Sequence, residues 1–501
     1  MDIHLLALLL FCLCSPGLTD NVLPEDTTVS PDKIHMGPLI PLIPSLPKEE
    51  LDTTMPPTTQ TPPFVVPTHD SPDYFFRHIT VPVCTTSPSP DDSWSMEDHG
   101  EGCGPEAASA KAKRAVGGAV MKLGLQLLET LRTSPEQPNV IVSPLSVSLA
   151  LSQLALGAAN ETEDLLLRSL HADKLPCYHK SLRSLLRHLR NSALQVAARM
   201  YLKPGFEVKS TFEQDSFRMY GSKPAPLAGV EEVNQWVVNA TKGRLTNFLS
   251  SLPASVVLML INAVHFKGSW LSRFDPRFTS KDLFFIDDKH VVHVDMMLGP
   301  KYPLSLLIDS ELDAQVARFP FKQHMSLLVV VPQSGHVNVS EIAAKLNTAD
   351  LYARFPRQRI MRVKLPKFKL EYSQELQESL TKLGLGEIFS GPNLAGIANG
   401  PLFVSSVQHK SSMEVNEEGA EAAAATAVII SRSNPTFIVN QPFFFALMDD
   451  TTQTPIFLGV ITNPDPDAAA MDSFGSKGSP HHDKLGFSEK HVVHSHSHTP
   501  K

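Results

Sequence analysis

Cysteine is scarce: there are five in 501 residues, and two of them, Cys12 and Cys14, sit inside an apolar opening. Setting that opening aside leaves Cys84, Cys103 and Cys177, an odd number that allows one bridge and one thiol over. Disulfides are therefore not the framework of the chain, which must rely on a hydrophobic core. Basic charge is also short, with 44 Lys and Arg against 52 Asp and Glu and a net charge of −8, which argues against broad nucleic-acid binding. Beyond the opening no apolar run is long enough to span a bilayer, so no membrane partner is expected. Catalytic signatures are missing too. There is no G-x-S-x-G elbow, H-E-x-x-H, P-loop or strand-linked G-x-G-x-x-G. Of 20 histidines, six lie beyond Pro466, where packing cannot hold a catalytic geometry. Neither an enzyme nor a cofactor or metal site is expected, and the run of His494, His496 and His498 reads as part of a polar tail.

What is present divides into four parts. Residues 1–19 carry an apolar block, Leu5 to Cys14, followed by small and turn residues, the pattern of a secretory signal peptide. Residues 20–108 are rich in Pro and Thr: 15 of the 41 prolines fall between Asn21 and Gly100, so this segment is expected to lack a packed core. Residues 109–466 read as globular. Residues 467–501 show no sustained period and are expected to form a flexible tail. Acceptor sequons at Asn160, Asn239 and Asn338 agree with an extracellular, secreted protein and predict glycosylation.

Within the globular part, "AVMKLGLQLLETLR" has helical spacing, and "VIVSPLSVSLALSQLALGA" predicts a short strand, a helix start at Ser143-Pro144 and a helix apolar on nearly all sides. "EEVNQWVVNATKGRLTNFL" predicts another helix. "SVVLMLINAVHFKG", "HMSLLVVVPQ", "MRVKLPKFKLEY" and "QPFFFALMDDTTQTPIFLGVITNP" read as strands. Helices cluster early and strands late, which is α+β. In "HKSLRSLLRHLR" Lys180, Arg183, Arg187 and Arg190 share one helical face opposite Leu182, Leu185, Leu186 and Leu189.

"NVIVSPLSVSLALSQLALGA", "INAVHFKGSW" followed by "RFDP", "VQHKSSMEVNEEGAEAAAATA" and "VNQPFFFALMDDTTQTPIFLGVITNP" resemble the signatures of the serpin family, in family order and spacing. The resemblance implies a large central mixed sheet, about nine helices, and an exposed reactive loop near the C-terminus. It also implies an activity: a suicide substrate whose cut loop enters the sheet and traps the attacking serine protease. "ARMYL", "VNQWV" and "FLSSLP" are most similar to the members that trap plasmin and restrain fibrinolysis in plasma. The alternatives are an inhibitor of complement and contact-system proteases, and a non-inhibitory binding protein.

For such a loop the residues are compatible. No proline occurs from Gly419 to Arg432, and one alternation puts Ala420, Ala422, Ala424, Thr426, Val428 and Ile430 inward with Glu421 outward. The expected hinge is Gly419, Ala420, Ala422, Ala424 and Thr426. The span from Gly419 to Arg432 is one residue shorter than the commonest family arrangement, which leaves Ser433 as the alternative bait. Arg432 is favoured, because a guanidinium pairs bidentately with the carboxylate of a trypsin-like pocket, so the expected reactive bond is Arg432-Ser433. The resemblance further implies a bridge between Cys103 and Cys177, and binding of plasmin or plasminogen kringles by Lys501, helped by Lys490, Lys484 and Lys477. Transglutaminase attachment to fibrin fits poorly, since the first glutamine is Gln60. Family order makes the basic helix of Lys180, Arg183, Arg187 and Arg190 a candidate glycosaminoglycan contact, beside the plainer reading of a solvated face. A monomer is expected.

Overall fold

A computed structural model describes residues 103–472 apart from 132, 191, 193, 253–254 and 420–434. The early part is helical. Helix α1 (Ala110–Thr130) begins where Ser109 Oγ accepts the Ala112 N–H (3.1 Å), and a short strand β1 (Val140–Val142) leads to α2 (Pro144–Leu156). Ser143 caps α2 with proline at its first position, as predicted, and every residue of α2 from Pro144 to Ala155 is buried. Helices α3 (Glu161–Ser169) and α4 (Tyr178–Leu189), strand β2 (Leu194–Leu202), α5 (Ser210–Tyr220) and strand β3 (Ala225–Pro226) follow. Helix α6 (Val230–Ala240) then precedes β4 (Leu258–Lys267).

From Ser280 strands dominate: β5 (Ser280–Phe285), the long β6 (His290–Asp309), β7 (Ala314–Pro320) and β8 (Met325–Pro332). Short helices α7 (Val339–Lys345) and α8 (Thr348–Arg354) come before β9 (Arg359–Pro366) and β10 (Phe368–Glu375). Helix α9 (Gln377–Leu380) leads towards β11 (Val404–Val415), and the chain continues through β12 (Thr436–Ile438), β13 (Phe443–Asp449), β14 (Thr454–Ile461) and β15 (Met471–Asp472). Nine α-helices among the described residues match the expected number.

Two sheets organise these strands. One has ten strands, ordered β1-β14-β13-β8-β7-β6-β9-β12 with β5 and β15 also paired to β6. The other has five, ordered β10-β11-β4-β2-β3, and is mixed: β4 and β11 run parallel while β10–β11 and β2–β4 are antiparallel. Alternation along β4 sends Leu258, Leu260, Val264 and Phe266 into the main core and Met259, Ile261 and Ala263 into a second cluster with Val233 and Val237 of α6. Burial on both faces explains why this strand reads as a continuous apolar run.

The structure departs from the sequence reading in three places. The helix expected to run to Leu249 stops at Ala240, because Thr241 Oγ1 folds back to donate to Val237 O (2.7 Å) and Lys242 and Gly243 take positive φ. "MRVKLPKFKLEY" is split at Lys367 between the two sheets. Ordered structure also extends past 109–466 at both ends, from a short turn at Pro105–Ala108 to Met471 and Asp472, which pair with Val291 and His290.

Candidate functional site

At the end of β11 the chain is clamped by Trp270. Its indole Nε1–H donates to Asn416 O (2.6 Å), its backbone N–H donates to Glu418 O (3.0 Å), and its ring stacks on Phe321 with centroids 4.0 Å apart. Glu417 is buried beside it, accepting from Thr279 Oγ1 (2.8 Å) and pairing with Lys367 Nζ (3.1 Å). Burial pushes this carboxyl up, but the Thr279 hydroxyl, a backbone N–H and Lys367 outweigh that and hold it below its ordinary range. Gly419 bridges to Trp270, and a Cβ there would lie 2.7 Å from Trp270 O and 2.9 Å from Arg273 Cβ, so only glycine fits. Beyond this fixed point residues 420–434 lie outside the described residues, and the chain is next seen at Pro435, whose carbonyl accepts from Arg362 N (2.9 Å).

The strand that ends in this clamp forms a parallel seam with β4, in register from Ser406 opposite Met259 to Glu414 opposite Lys267, after a bulge that separates this run from the pairing of Val404 with Leu258. The seam is unusually polar. On its inner face Asn262 is opposite His409, whose Nε2 accepts from the Ser143 N–H (3.2 Å) and contacts Ser411 Oγ (2.7 Å). Burial holds His409 neutral, its pKa pushed down to about 3. Asn262 Oδ1 and Nδ2 and His409 Nδ1 are buried without a hydrogen-bond partner among the described residues. Where such a group stays unpaired the cost is about 1–3 kcal/mol, which makes this seam more weakly satisfied than an apolar one. On the outer face His265 Nδ1 meets Ser412 Oγ (3.3 Å), Lys410 Nζ donates to Thr246 O (3.2 Å) and Asn247 O (3.3 Å), and Lys267 pairs with Glu414 and Glu418.

Other expected residues fall as follows. Cys103 and Cys177 are bridged, with Cα atoms 6.0 Å apart. Asn160, Asn239 and Asn338 are all exposed. The four cations of α4 and its end do not share one solvent face: Arg187 and Arg190 are exposed and Lys180 half-buried, but Arg183 is only 5% exposed, because that side of the helix packs inward. Ala420, Ala422, Ala424, Thr426, Arg432 and Ser433 lie outside the described residues, as do Lys477, Lys484, Lys490 and Lys501. The sequence pattern around Trp270, Asn262, His409 and Glu417 assigns these residues no role. For Asn262 the signal was a polar side chain inside the otherwise apolar run of β4.

Comparison with known proteins agrees with this geometry. A family model described as Serpin (serine protease inhibitor) matches residues 118–464. Mouse alpha-2-antiplasmin is 43% identical over 366 residues, 72% of this chain and 74% of its own. The bovine protein of the same name is 43% identical over 356 residues, 70% and 72% of the two chains. Among solved structures, uncleaved ovalbumin aligns with a TM-score of 0.64 at 25% identity, covering 70% of this chain and 100% of that one.

Proposed function

The chain belongs to the serpin family, and from that premise we propose that it is a secreted suicide-substrate inhibitor that traps plasmin after cleavage at Arg432-Ser433, thereby restraining fibrinolysis. The observation that carries this reading is the parallel seam between β4 and β11, with the clamp at Gly419 directly after the second strand. A segment that turns back at Gly419 runs opposite to β11 and, since β4 is parallel to β11, opposite to β4 as well. Its entry exchanges one parallel ladder for two antiparallel ladders, the better-bonded arrangement. The two strands must separate from about 4.8 Å to about twice that. The inward set Ala420, Ala422, Ala424 and Thr426 is small enough to pass between them, while Glu421 stays outward.

The protease supplies the nucleophile: its serine attacks the Arg432 carbonyl, the Arg432-Ser433 bond breaks, and the Ser433 amine leaves while the acyl-enzyme is carried away by the inserting strand. Plasmin as the target is supported by the arginine at 432 and by what the mouse and bovine relatives are called. Lys477, Lys484, Lys490 and Lys501 would add kringle contacts that raise the local concentration of the loop.

Mixing the full chain with plasmin should give an SDS-stable complex and release a fragment beginning at Ser433. Arg432→Ala should slow complex formation by on the order of 100-fold, the loss expected when a buried carboxylate in the protease pocket loses its partner. Turnover without a complex would sink the proposal. Faster trapping of complement or contact proteases than of plasmin would move the target while keeping the mechanism.

A further inference from the structure

The three sequons differ in their surroundings. Asn338 Oδ1 caps α7 by accepting from Glu341 N (3.1 Å), and Asn160 precedes α3 with φ 54°. Asn239 stands one turn after Trp236 on α6, and its Oδ1 accepts from Gln235 Nε2 (3.1 Å), so Nδ2 remains for attachment. Residues three apart on a helix are surface neighbours, which puts the Asn239 amide within one sugar of the indole. That indole is half-buried. Arg199 covers part of it, with Cζ 4.9 Å from the ring centroid, and Tyr201 meets it edge-on at 6.3 Å.

Trp236 and Asn239 also border a solvent-open cavity of about 760 Å³ between α4, α5, α6 and β2, whose lining mixes apolar side chains such as Leu189, Leu194 and Phe217 with the cations Arg190, Arg199 and Lys223. Neither Asn160 nor Asn338 borders it.

We infer that an N-linked glycan on Asn239 is an internal ligand of this face: its first N-acetylglucosamine stacks on the part of Trp236 that Arg199 leaves uncovered and roofs the cavity. The apolar face of a pyranose suits an indole, whose π surface attracts polarised C–H groups, and the sugar's hydroxyls stay towards water. Attachment forms a bond from Asn239 Nδ2 to the anomeric carbon of a lipid-diphosphate-linked oligosaccharide, with loss of one amide proton and departure of the lipid diphosphate. Thr241 of this sequon is fully buried, its hydroxyl donating to Val237 O and accepting from Leu245 N (3.1 Å), so attachment precedes closure of this end of α6. The inference rests on the secreted reading given above.

The test uses the full chain secreted from cells that keep glycans high-mannose, with four proteins compared: the unaltered chain, Asn239→Gln, Trp236→Phe and the double variant. Glycopeptide mass spectrometry reads occupancy. Acrylamide quenching, taken as the difference between each protein and its Trp236→Phe counterpart, isolates Trp236 from the other two tryptophans. The expected result is an occupied Asn239 and at least a twofold rise in the Trp236 quenching constant in Asn239→Gln. Trimming the glycan to its first sugar should keep the protection, and hydrogen exchange over 230–240 should be faster in Asn239→Gln even if Trp236→Phe folds poorly. An unoccupied Asn239 overturns the inference at the modification step. Occupancy with equal quenching, or protection lost on trimming, overturns the stacking and leaves the secreted reading intact.

Discussion

Replacing His409 by Gln tests whether the polar seam is held by a neutral imidazole. His409 is about 1% exposed, and burial pushes its pKa from the ordinary 6.5 to about 3. An unfolded chain takes up a proton on this residue below about pH 6.5, while the folded chain refuses it until near pH 3. The stability linked to His409 is therefore fully present above pH 6.5 and is lost as the pH falls towards 3. At pH 5 the gap of about 1.5 pH units is worth roughly 2 kcal/mol. Gln cannot titrate, yet its carbonyl oxygen is able to accept the Ser143 N–H in place of Nε2. Urea unfolding at pH 7.5 and pH 5 is the assay. At a slope of about 3 kcal/mol/M, the unaltered protein should lose about 0.7 M more of its midpoint across that interval than the Gln variant. His179, whose pKa burial lowers to about 4, contributes equally to both proteins and cancels in the comparison. Equal losses in the two proteins would refute the argument, because they would mean that the imidazole is solvated or already charged.

Two further predictions concern the clamp and the bridge. Glu417→Gln removes the charge that Thr279 and Lys367 share, and because Lys367 is 44% exposed its share is discounted, giving a loss of about 1–2 kcal/mol and a fall in Tm of about 2–4 °C. Lys367→Met should cost less, and the double variant no more than Glu417→Gln alone; additive losses in calorimetry would show that the two do not act as a pair. Replacing Cys103 and Cys177 together by Ser frees a 74-residue separation, and chain entropy sets the expected destabilisation at about 4 kcal/mol, with an unchanged denaturation midpoint as the contrary result.

Much of the fold is legible because it is local. Ser143 followed by Pro144 and a sustained apolar run specifies a helix start from adjacent residues, and "QPFFFALMDDTTQTPIFLGVITNP" becomes the hairpin of β13 and β14 because a polar turn separates two apolar runs. The end of α6 was not legible in the same way. Thr241 is an ordinary helix residue until its hydroxyl finds Val237 O, and the positive φ of Lys242 is set by how the following segment packs. Nor does anything in "VKLPKFKL" announce that Pro366 and Phe368 belong to different sheets. Arg183 shows the opposite failure. Helical spacing correctly put it beside other cations, but which part of a polar face turns inward depends on neighbours that the spacing does not name.

The sequence by itself determined the material of the proposed hinge, small residues without proline from Gly419 to Arg432, and the period of an extended chain is what would keep Glu421 outward in the proposed insertion. Tertiary structure alone decided the seam and the clamp on which that proposal rests. Leu258 and Val404 are far apart in the chain, and their parallel pairing, the burial of Asn262 against His409, and the grip of Trp270 on Asn416 and Glu418 arise only when distant segments meet. Local propensity carries no information about such contacts, because their free energy depends on partners that the chain's own neighbourhood does not contain.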